Sequence, residues 1–288
     1  MENFLESSKE RKPKEDVYLL GGSDLEMYQT KKRLKRSGRG YVDKDLKWGA
    51  KIDDYRDEIK KILEQENIPV AVELSGADQV EGVINVDHHG DKSGNPASIS
   101  QVMKRAGLKM SFIDELVAAN DSAYIPGMEA TLEEHRKDLE ARIGSERFEK
   151  LKVKLINLIR AKDRQIQGIN QEQEKQAEEA IKQLETACDG LLTIVYLAHS
   201  KSATVTDRLF GKYKNLLIIS DDGEVNFFGD GKLCQNLQKE FEGSWSGGSG
   251  LGEIGENAYW GMSNVENKDV IEQIKNYINN LKEVEDKK

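Results

Sequence analysis

Short apolar runs alternate with helix-like segments in the first part of the chain, and this alternation restricts the folds that it can adopt. The runs 17–20, 69–74 and 83–86 have the length and composition of buried strands. Helical patterns at 25–36 and 53–65 lie between them. Because strands that alternate with helices form a mostly parallel sheet with helices on both faces, we predict an α/β domain here.

The rest of the chain changes character twice. Residues 130–188 are charged, free of proline and helical in pattern, so a helical connector is predicted over 126–188. It would join an α/β domain at 1–125 to a smaller α/β domain at 189–288, which we expect to face the first across a cleft. Within the smaller domain we predict strands at 191–197, 215–219 and 224–228, helices at 232–241 and 270–284, and a glycine-rich loop at 243–261.

Acidic side chains follow the predicted strands of the first domain. Glu73 and Asp87 end two strands, and Asp24 lies just after another. In open α/β sheets, ligands bind beyond the carboxyl ends of the strands. Asp87 also begins the triplet Asp87-His88-His89, so carboxylates and imidazoles are expected at one edge of the sheet.

Two more carboxylates extend this set. Glu26 stands two positions after Asp24, and Asp121 follows an apolar helix predicted at 113–120. Ser23 is predicted to cap the helix at 25–36, with Glu26 at capping-box spacing. Because metal-assisted phosphoester hydrolysis uses hard oxygen ligands, usually with one or two imidazoles, the pattern favours a divalent metal site.

The triplet in its strand context resembles the signature of the DHH phosphoesterase superfamily. The glycine cluster 247–250, with the segment 258–261 after it, resembles the substrate motif of the associated DHHA1 domain, and the resemblance covers nearly the whole chain. It implies a parallel-sheet DHH domain, a helical linker and a DHHA1-like domain. Members include nano-RNases, cyclic-dinucleotide phosphodiesterases, single-strand exonucleases and inorganic pyrophosphatases, which typically use manganese.

The resemblance also implies roles for particular residues. Asp87 is expected to orient the site and His89 to contact the substrate phosphate. Two residues outside the motifs, His199 at a strand end and Arg208 as a phosphate clamp, are candidates for substrate contact, with a purely structural role left open for each. The implied metal ligands are Asp24, Glu26, Glu73, His88 and Asp121, and the implied substrate loop is Gly247, Gly248, Ser249 and Gly250.

The sequence departs from the family pattern in three places. Leu20 stands where the first motif has a histidine, and glutamate replaces aspartate at 26 and 73. No histidine follows the glycines of the second domain. The expected cofactor is therefore Mn²⁺ as one or two ions, with the number left open.

Charge and composition narrow the class of ligand. The net charge is −9, which opposes long nucleic acid as the main ligand because phosphate contacts need a basic field. No apolar stretch reaches the ~18 residues of a membrane helix. The charged segment 1–16 predicts no export signal, and Cys188 and Cys234 form no CxxC pair, so a cytoplasmic protein is expected.

These observations together predict a metal-dependent phosphodiesterase that hydrolyses small nucleotides to nucleoside monophosphates. Short oligonucleotides, dinucleotides and an AMP conjugate such as S-adenosylmethionine–AMP, a second messenger of CRISPR-associated systems, are the substrates considered. The alternatives are a non-catalytic nucleotide-binding module with a degenerate metal site and an inorganic pyrophosphatase. A homodimer is considered, and no membrane partner is expected.

Overall fold

The computed structural model of the protein describes residues 13–47, 49–248, 250–263 and 268–285. The chain contacts divide it into two units, one ending at Gln167 and the other beginning at Gly168. Each unit has its own sheet, so the predicted α/β class with two domains is confirmed. The three-part division at 125 and 188 remains a prediction.

The first unit contains a four-stranded parallel sheet in the order β2-β1-β3-β4. Its strands are β1 (Asp16–Leu20), β2 (Gly40–Val42), β3 (Ile68–Val72) and β4 (Ile84–Val86). Its helices are α1 (Leu25–Arg36), α2 (Arg56–Glu64), α3 (Ser98–Arg105), α4 (Phe112–Glu134), α5 (Arg136–Ile143) and α6 (Ser145–Ile166).

Alternate side chains of β1 pack on opposite faces of this sheet. Tyr18 and Leu20 pack with residues of α1 and α3, whereas Leu19 packs with residues of α2. All three side chains are buried, as expected for a parallel strand covered by helices on both faces. The carboxyl ends of β1, β3 and β4 therefore share one edge, from which the site residues extend.

The start of α1 differs from the prediction. Asp24, and not Ser23, is the N-cap, since its side chain accepts a hydrogen bond from the Met27 backbone N–H at 2.7 Å. Ser23 instead donates its backbone N–H to the Leu46 carbonyl. This shift by one residue places Glu26 in the first turn of α1, where its side chain is buried.

Helix α4 is longer than predicted and broken inside. The predicted segment 113–120 continues past Asp121 to a break at Ala123 and Tyr124, where Tyr124 has φ 55°. Pro126 follows the break and cannot donate a backbone hydrogen bond to the preceding turn. Asp121 therefore lies in the last turn before a kink, which lets its side chain turn toward the sheet edge.

The second unit has a six-stranded mixed sheet in the order β5-β6-β7-β8-β10-β9. Strands β6 and β7 are parallel, and the other described pairs are antiparallel. The strands are β5 (Glu185–Ala187), β6 (Leu192–Leu197), β7 (Asn215–Ser220), β8 (Val225–Asp230), β9 (Trp245–Gly247) and β10 (Asn257–Met262). The helices are α7 (Gln171–Lys182), α8 (Ala203–Leu209), α9 (Gly231–Glu240) and α10 (Lys268–Glu285).

The glycine-rich segment 243–261 was expected to be a loop, and this expectation was wrong in part. Both ends of it form strands, β9 and most of β10, which pair antiparallel. The glycines hid this pairing because glycine has low strand propensity. Similarly, β5 lies at the end of the segment that was predicted to be wholly helical. Among the described helices, none has the length and apolar content needed to span a bilayer.

Gly21 provides a test of the turn after β1. An ideal Cβ there would lie 2.6 Å from the Glu73 carbonyl oxygen and 2.7 Å from that of Val72, so a side chain would push β1 and β3 apart. We expect Gly21→Ala to lower the free energy of unfolding by about 1–3 kcal/mol, measured by urea denaturation.

Gly94→Ala is the matched control for this change. A Cβ at Gly94 would meet no atom within 4 Å, so its effect should stay within about 0.5 kcal/mol. Equal stabilities of the two variants would contradict the close approach at Gly21.

Candidate metal centre

His88 lies at the centre of a cluster of carboxylates at the edge of the parallel sheet. It is the second residue after β4, and its side chain is only 6% exposed. Its Nε2 atom lies 2.5 Å from Oδ2 of Asp121, 3.4 Å from Oε1 of Glu73 and 3.7 Å from Oε2 of Glu26. Residues from four separate segments of the first unit therefore meet within ion-pair distance of one atom.

Each carboxylate reaches this point through a distinct backbone feature. Glu73 directly follows β3 and has φ 52°, a left-handed conformation that is uncommon for a residue with a side chain. Glu26 lies in the first turn of α1, and its Oε1 accepts a hydrogen bond from the Ile99 backbone N–H at 2.9 Å. Asp121 comes from the turn of α4 that precedes the kink.

Four buried atoms of this cluster lack a hydrogen bond of acceptable geometry among the described residues. They are Oε2 of Glu26, Oε1 of Glu73, Oδ2 of Asp121 and Nε2 of His88. Buried polar atoms are nearly always hydrogen-bonded, so four unsatisfied atoms at one point need an explanation. A cation at this point would supply the missing partner for all four.

The donor set fits a hard divalent cation. Glu73, His88, His89 and Asp121 offer ligand atoms that all lie within 4.8 Å of one another, and these residues could hold a metal ion. Carboxylate oxygens suit Mg²⁺ and Mn²⁺, and an imidazole nitrogen is a common ligand of the first-row metals. The two carboxylates of this set, Glu73 and Asp121, also balance the charge of a divalent ion better than a neutral ligand set would.

Asp24 and Leu20, which the sequence placed at the predicted site, flank the turn between β1 and α1. One carboxylate oxygen of Asp24 caps α1 by accepting the Met27 N–H. Burial together with the charge of Glu73 raises the pKa of Asp24 to about 8. Leu20 is 1% exposed and packs in the apolar core with Val72 and Val86. The position where the resembled family has a histidine thus belongs to the core.

Burial and neighbouring charges shift the pKa values of the cluster residues in different directions. Burial raises the pKa of Glu26 well above its usual range, with the charges of its carboxylate neighbours acting in the same direction. Burial also opposes ionisation of Glu73, but the hydrogen bonds of His88 and Glu26 and the charge of His89 together outweigh it and lower the pKa of Glu73 to about 2. For His88, burial favours the neutral ring, but Asp121 and the other carboxylates raise its pKa to about 12.

Asp87 and His89 form a more exposed pair beside the cluster. Oδ1 of Asp87 accepts the backbone N–H of His89 at 3.0 Å and lies 3.2 Å from its ring Nδ1. The His89 side chain is 57% exposed, and its ring lies 4.3 Å from that of His88. An Nδ1–H donor to Asp87 fixes the ring and leaves Nε2 for a bound group.

Two side chains that the sequence did not nominate anchor this turn. Asn95 and Gln101 both donate to the Asp87 carbonyl oxygen, at 3.0 and 3.1 Å. The Ile99 backbone N–H that holds Glu26 belongs to the first turn of α3, which follows directly. The Asn95-Pro96 pair, a turn signal, was the one clue to this arrangement in the sequence.

The candidates of the second unit do not form a comparable cluster. The Arg208 guanidinium is paired with Glu174 at 2.7 Å and Glu178 at 3.0 Å on α7. His199 is buried, with Nε2 3.0 Å from the Gln173 carbonyl oxygen and Nδ1 accepting the Lys201 N–H. Both side chains bond to residues of the second unit, as side chains with a structural role do.

The glycines of the second unit have a packing role. Gly247 lies under the Tyr259 ring, Gly248 has φ 103°, and a Cβ on Gly250 would approach Cβ of Glu256 to 2.6 Å. Ser249 lies outside the described residues. These positions need glycine for the hairpin itself, and their contact with substrate stays a prediction.

Metal binding at this centre should release protons. The pKa of Asp24 is raised to about 8 and that of His88 to about 12, so these two side chains hold protons near neutral pH that a cation must displace. We therefore expect the affinity for Mn²⁺ to rise between about pH 6 and 9. Calorimetric titrations in buffers of different ionisation enthalpy would count the released protons, and an affinity that does not change with pH would contradict the arrangement.

Comparisons with known proteins do not identify the function of this centre. No protein-family model and no curated protein matches the sequence. The fold is similar to the crystal structure of an exopolyphosphatase-related protein from Bacteroides fragilis, with 10% identity, 94% of this chain and 93% of that chain covered, and a TM-score of 0.46. An uncharacterized protein from Helicobacter pylori is 14% identical over 92% of this chain and 99% of its own, with a TM-score of 0.28. At these TM-scores neither similarity carries an argument about function.

Proposed function

We propose that this chain is a metal-dependent phosphodiesterase that hydrolyses small nucleotides to nucleoside monophosphates. The observation that carries the proposal is the convergence of four unsatisfied buried ligand atoms around His88. The resemblance of Asp87-His88-His89 to the DHH signature supports phosphate as the group acted upon. Dinucleotides, short oligonucleotides and an AMP conjugate of the S-adenosylmethionine–AMP type are the substrates to test.

Different residues of the site would bind the cation and contact the phosphate. Glu26, Glu73, His88 and Asp121 would hold Mn²⁺ as the resident ion. When bound, such an ion polarises phosphate oxygens and lowers the pKa of water. His89 is exposed and fixed by Asp87, so its ring would donate to a phosphate oxygen.

The net charge of −9 supports a small ligand over a long one. A protein that binds extended nucleic acid gains much of its affinity from basic residues along the phosphate backbone. A dinucleotide needs only a local site, and a divalent cation supplies its positive charge. Long single strands are therefore not proposed as the main substrate.

The proposal is tested by His88→Ala with His135→Ala as the matched control. His135 also lies in the first unit, but it pairs with Glu115 at 2.8 Å and takes no part in the cluster. We expect His88→Ala to reduce Mn²⁺-dependent cleavage of a dinucleotide panel to background, because it removes the ligand that all three carboxylates face. His135→Ala should keep wild-type rates, with products read by mass spectrometry.

Other outcomes of the same experiment decide between the alternatives. Cleavage that survives both His88→Ala and Asp87→Ala would show that the reaction occurs elsewhere. Tight nucleotide binding without turnover or bound metal would identify a non-catalytic binding module. Turnover of inorganic pyrophosphate in place of dinucleotides would identify a pyrophosphatase.

A further inference from the structure

Helix α6, inside the predicted connector, carries two charged side chains that are buried in the first unit. Arg160 is 8% exposed and Asp163 is 5% exposed, and they pair at 2.8 Å. They lie on the same side of α6 as Ile156 and Ile159, which pack in the core between α4 and α6. Buried charges are costly, so their hydrogen-bond partners indicate what they do.

Asp163 holds the start of α1. Its Oδ1 accepts the Leu25 backbone N–H at 3.2 Å and the Gln167 side-chain amide at 3.0 Å. Leu25 stands between Asp24 and Glu26, so this bond fixes the backbone from which Glu26 reaches the cluster. The Leu25 N–H belongs to the first turn of α1, which has no preceding carbonyl to bond within the helix.

Arg160 holds the kink of α4. One of its terminal nitrogens donates to Asn120 Oδ1 at 2.8 Å and to Asp163 Oδ2 at the same distance. Its guanidinium also lies 4.5 Å over the ring of Tyr124, the residue with φ 55° at the break. Asp121 is thus flanked on both sides by residues that Arg160 contacts.

We propose that Arg160 and Asp163 are positioning residues that set the spacing between Glu26 and Asp121 at the metal centre. The pair links two segments that are far apart in sequence, and its bonds to Leu25 and Asn120 go to neighbours of Glu26 and Asp121. An apolar pair would fill the same space without burying charge, so stability alone does not account for it. The inference rests on the proposed function only in that it requires a bound cation.

The test compares three variants of the full chain by calorimetric titration with Mn²⁺ alone. Asp163→Ala frees the Leu25 N–H and removes the carboxylate that pairs with Arg160, and we expect about 10–100-fold weaker Mn²⁺ binding. Asp163→Asn keeps an acceptor for Leu25 and should recover part of that loss. Ile156→Ala, two turns before Asp163 on the same face of α6, should lower the melting temperature but leave the Mn²⁺ affinity unchanged.

The outcomes separate this inference from the proposed function. If the wild-type protein binds Mn²⁺ and both Asp163 variants bind it equally tightly, the positioning role alone is overturned. A wild-type protein that binds no Mn²⁺ would overturn the proposed function and this inference with it. If Asp163→Ala does not fold by circular dichroism, Asp163→Asn decides: unchanged affinity overturns the role, and a measurable loss in a protein of unchanged melting temperature supports it.

Discussion

The first unit is organised around the burial of several carboxylates beside a single imidazole. The side chains of Glu26, Glu73 and Asp121 are 0%, 11% and 18% exposed, and Nε2 of His88 lies within 4 Å of a carboxylate oxygen of each. Like charges that are taken out of water repel each other and must be neutralised by protons or a cation. Burial, with the charges of Asp121 and Glu73 acting in the same direction, accordingly raises the pKa of Glu26 well above its usual range.

The backbone around the cluster is shaped to meet this requirement. Glu73 and Tyr124 both have positive φ, and each occurs where a regular element ends next to the cluster. A residue with a side chain adopts this conformation at some energetic cost, which the packing around it must offset. Gly21 lets the Glu73 carbonyl approach β1 closely. The turn after β1 therefore leaves room for Glu73, the candidate ligand that follows β3.

Local pattern in the sequence predicted the strands and therefore part of the cluster. The runs that became β1, β3 and β4 are short and apolar, and because parallel strands end at one edge, Glu73 and His88 could be placed together from the sequence. The cap of α1 was misplaced by one residue because Ser23 and Asp24 are both good N-caps, and tertiary contacts decide between them. Strands β9 and β10 were missed because glycine masks strand propensity that cross-strand aromatic packing restores.

Long-range polar contacts left almost no local signal. Arg160 and Asp163 occupy positions that complete the apolar face of α6, and a charged residue in such a position is ambiguous in sequence because a helix edge is often solvated. Their partners, Asn120 and Leu25, lie on helices distant in sequence, so no window of residues contains the interaction. The segment 126–188 was therefore predicted as a helical connector between two domains. By its contacts, α6 belongs to the first unit.

Glu26 illustrates how one side chain can serve both the fold and the site. Its Oε1 takes the Ile99 N–H, which satisfies a first-turn donor of α3, while its Oε2 lies 3.7 Å from His88 Nε2 without a hydrogen bond among the described residues. A carboxylate near a helix N-terminus is favoured by the helix dipole, so α3 stabilises the charge that the cluster needs when a cation is bound. Aspartate, one methylene shorter, would have to give up one of these two contacts from the same backbone position. The length of the Glu26 side chain is thus matched to the position of α3.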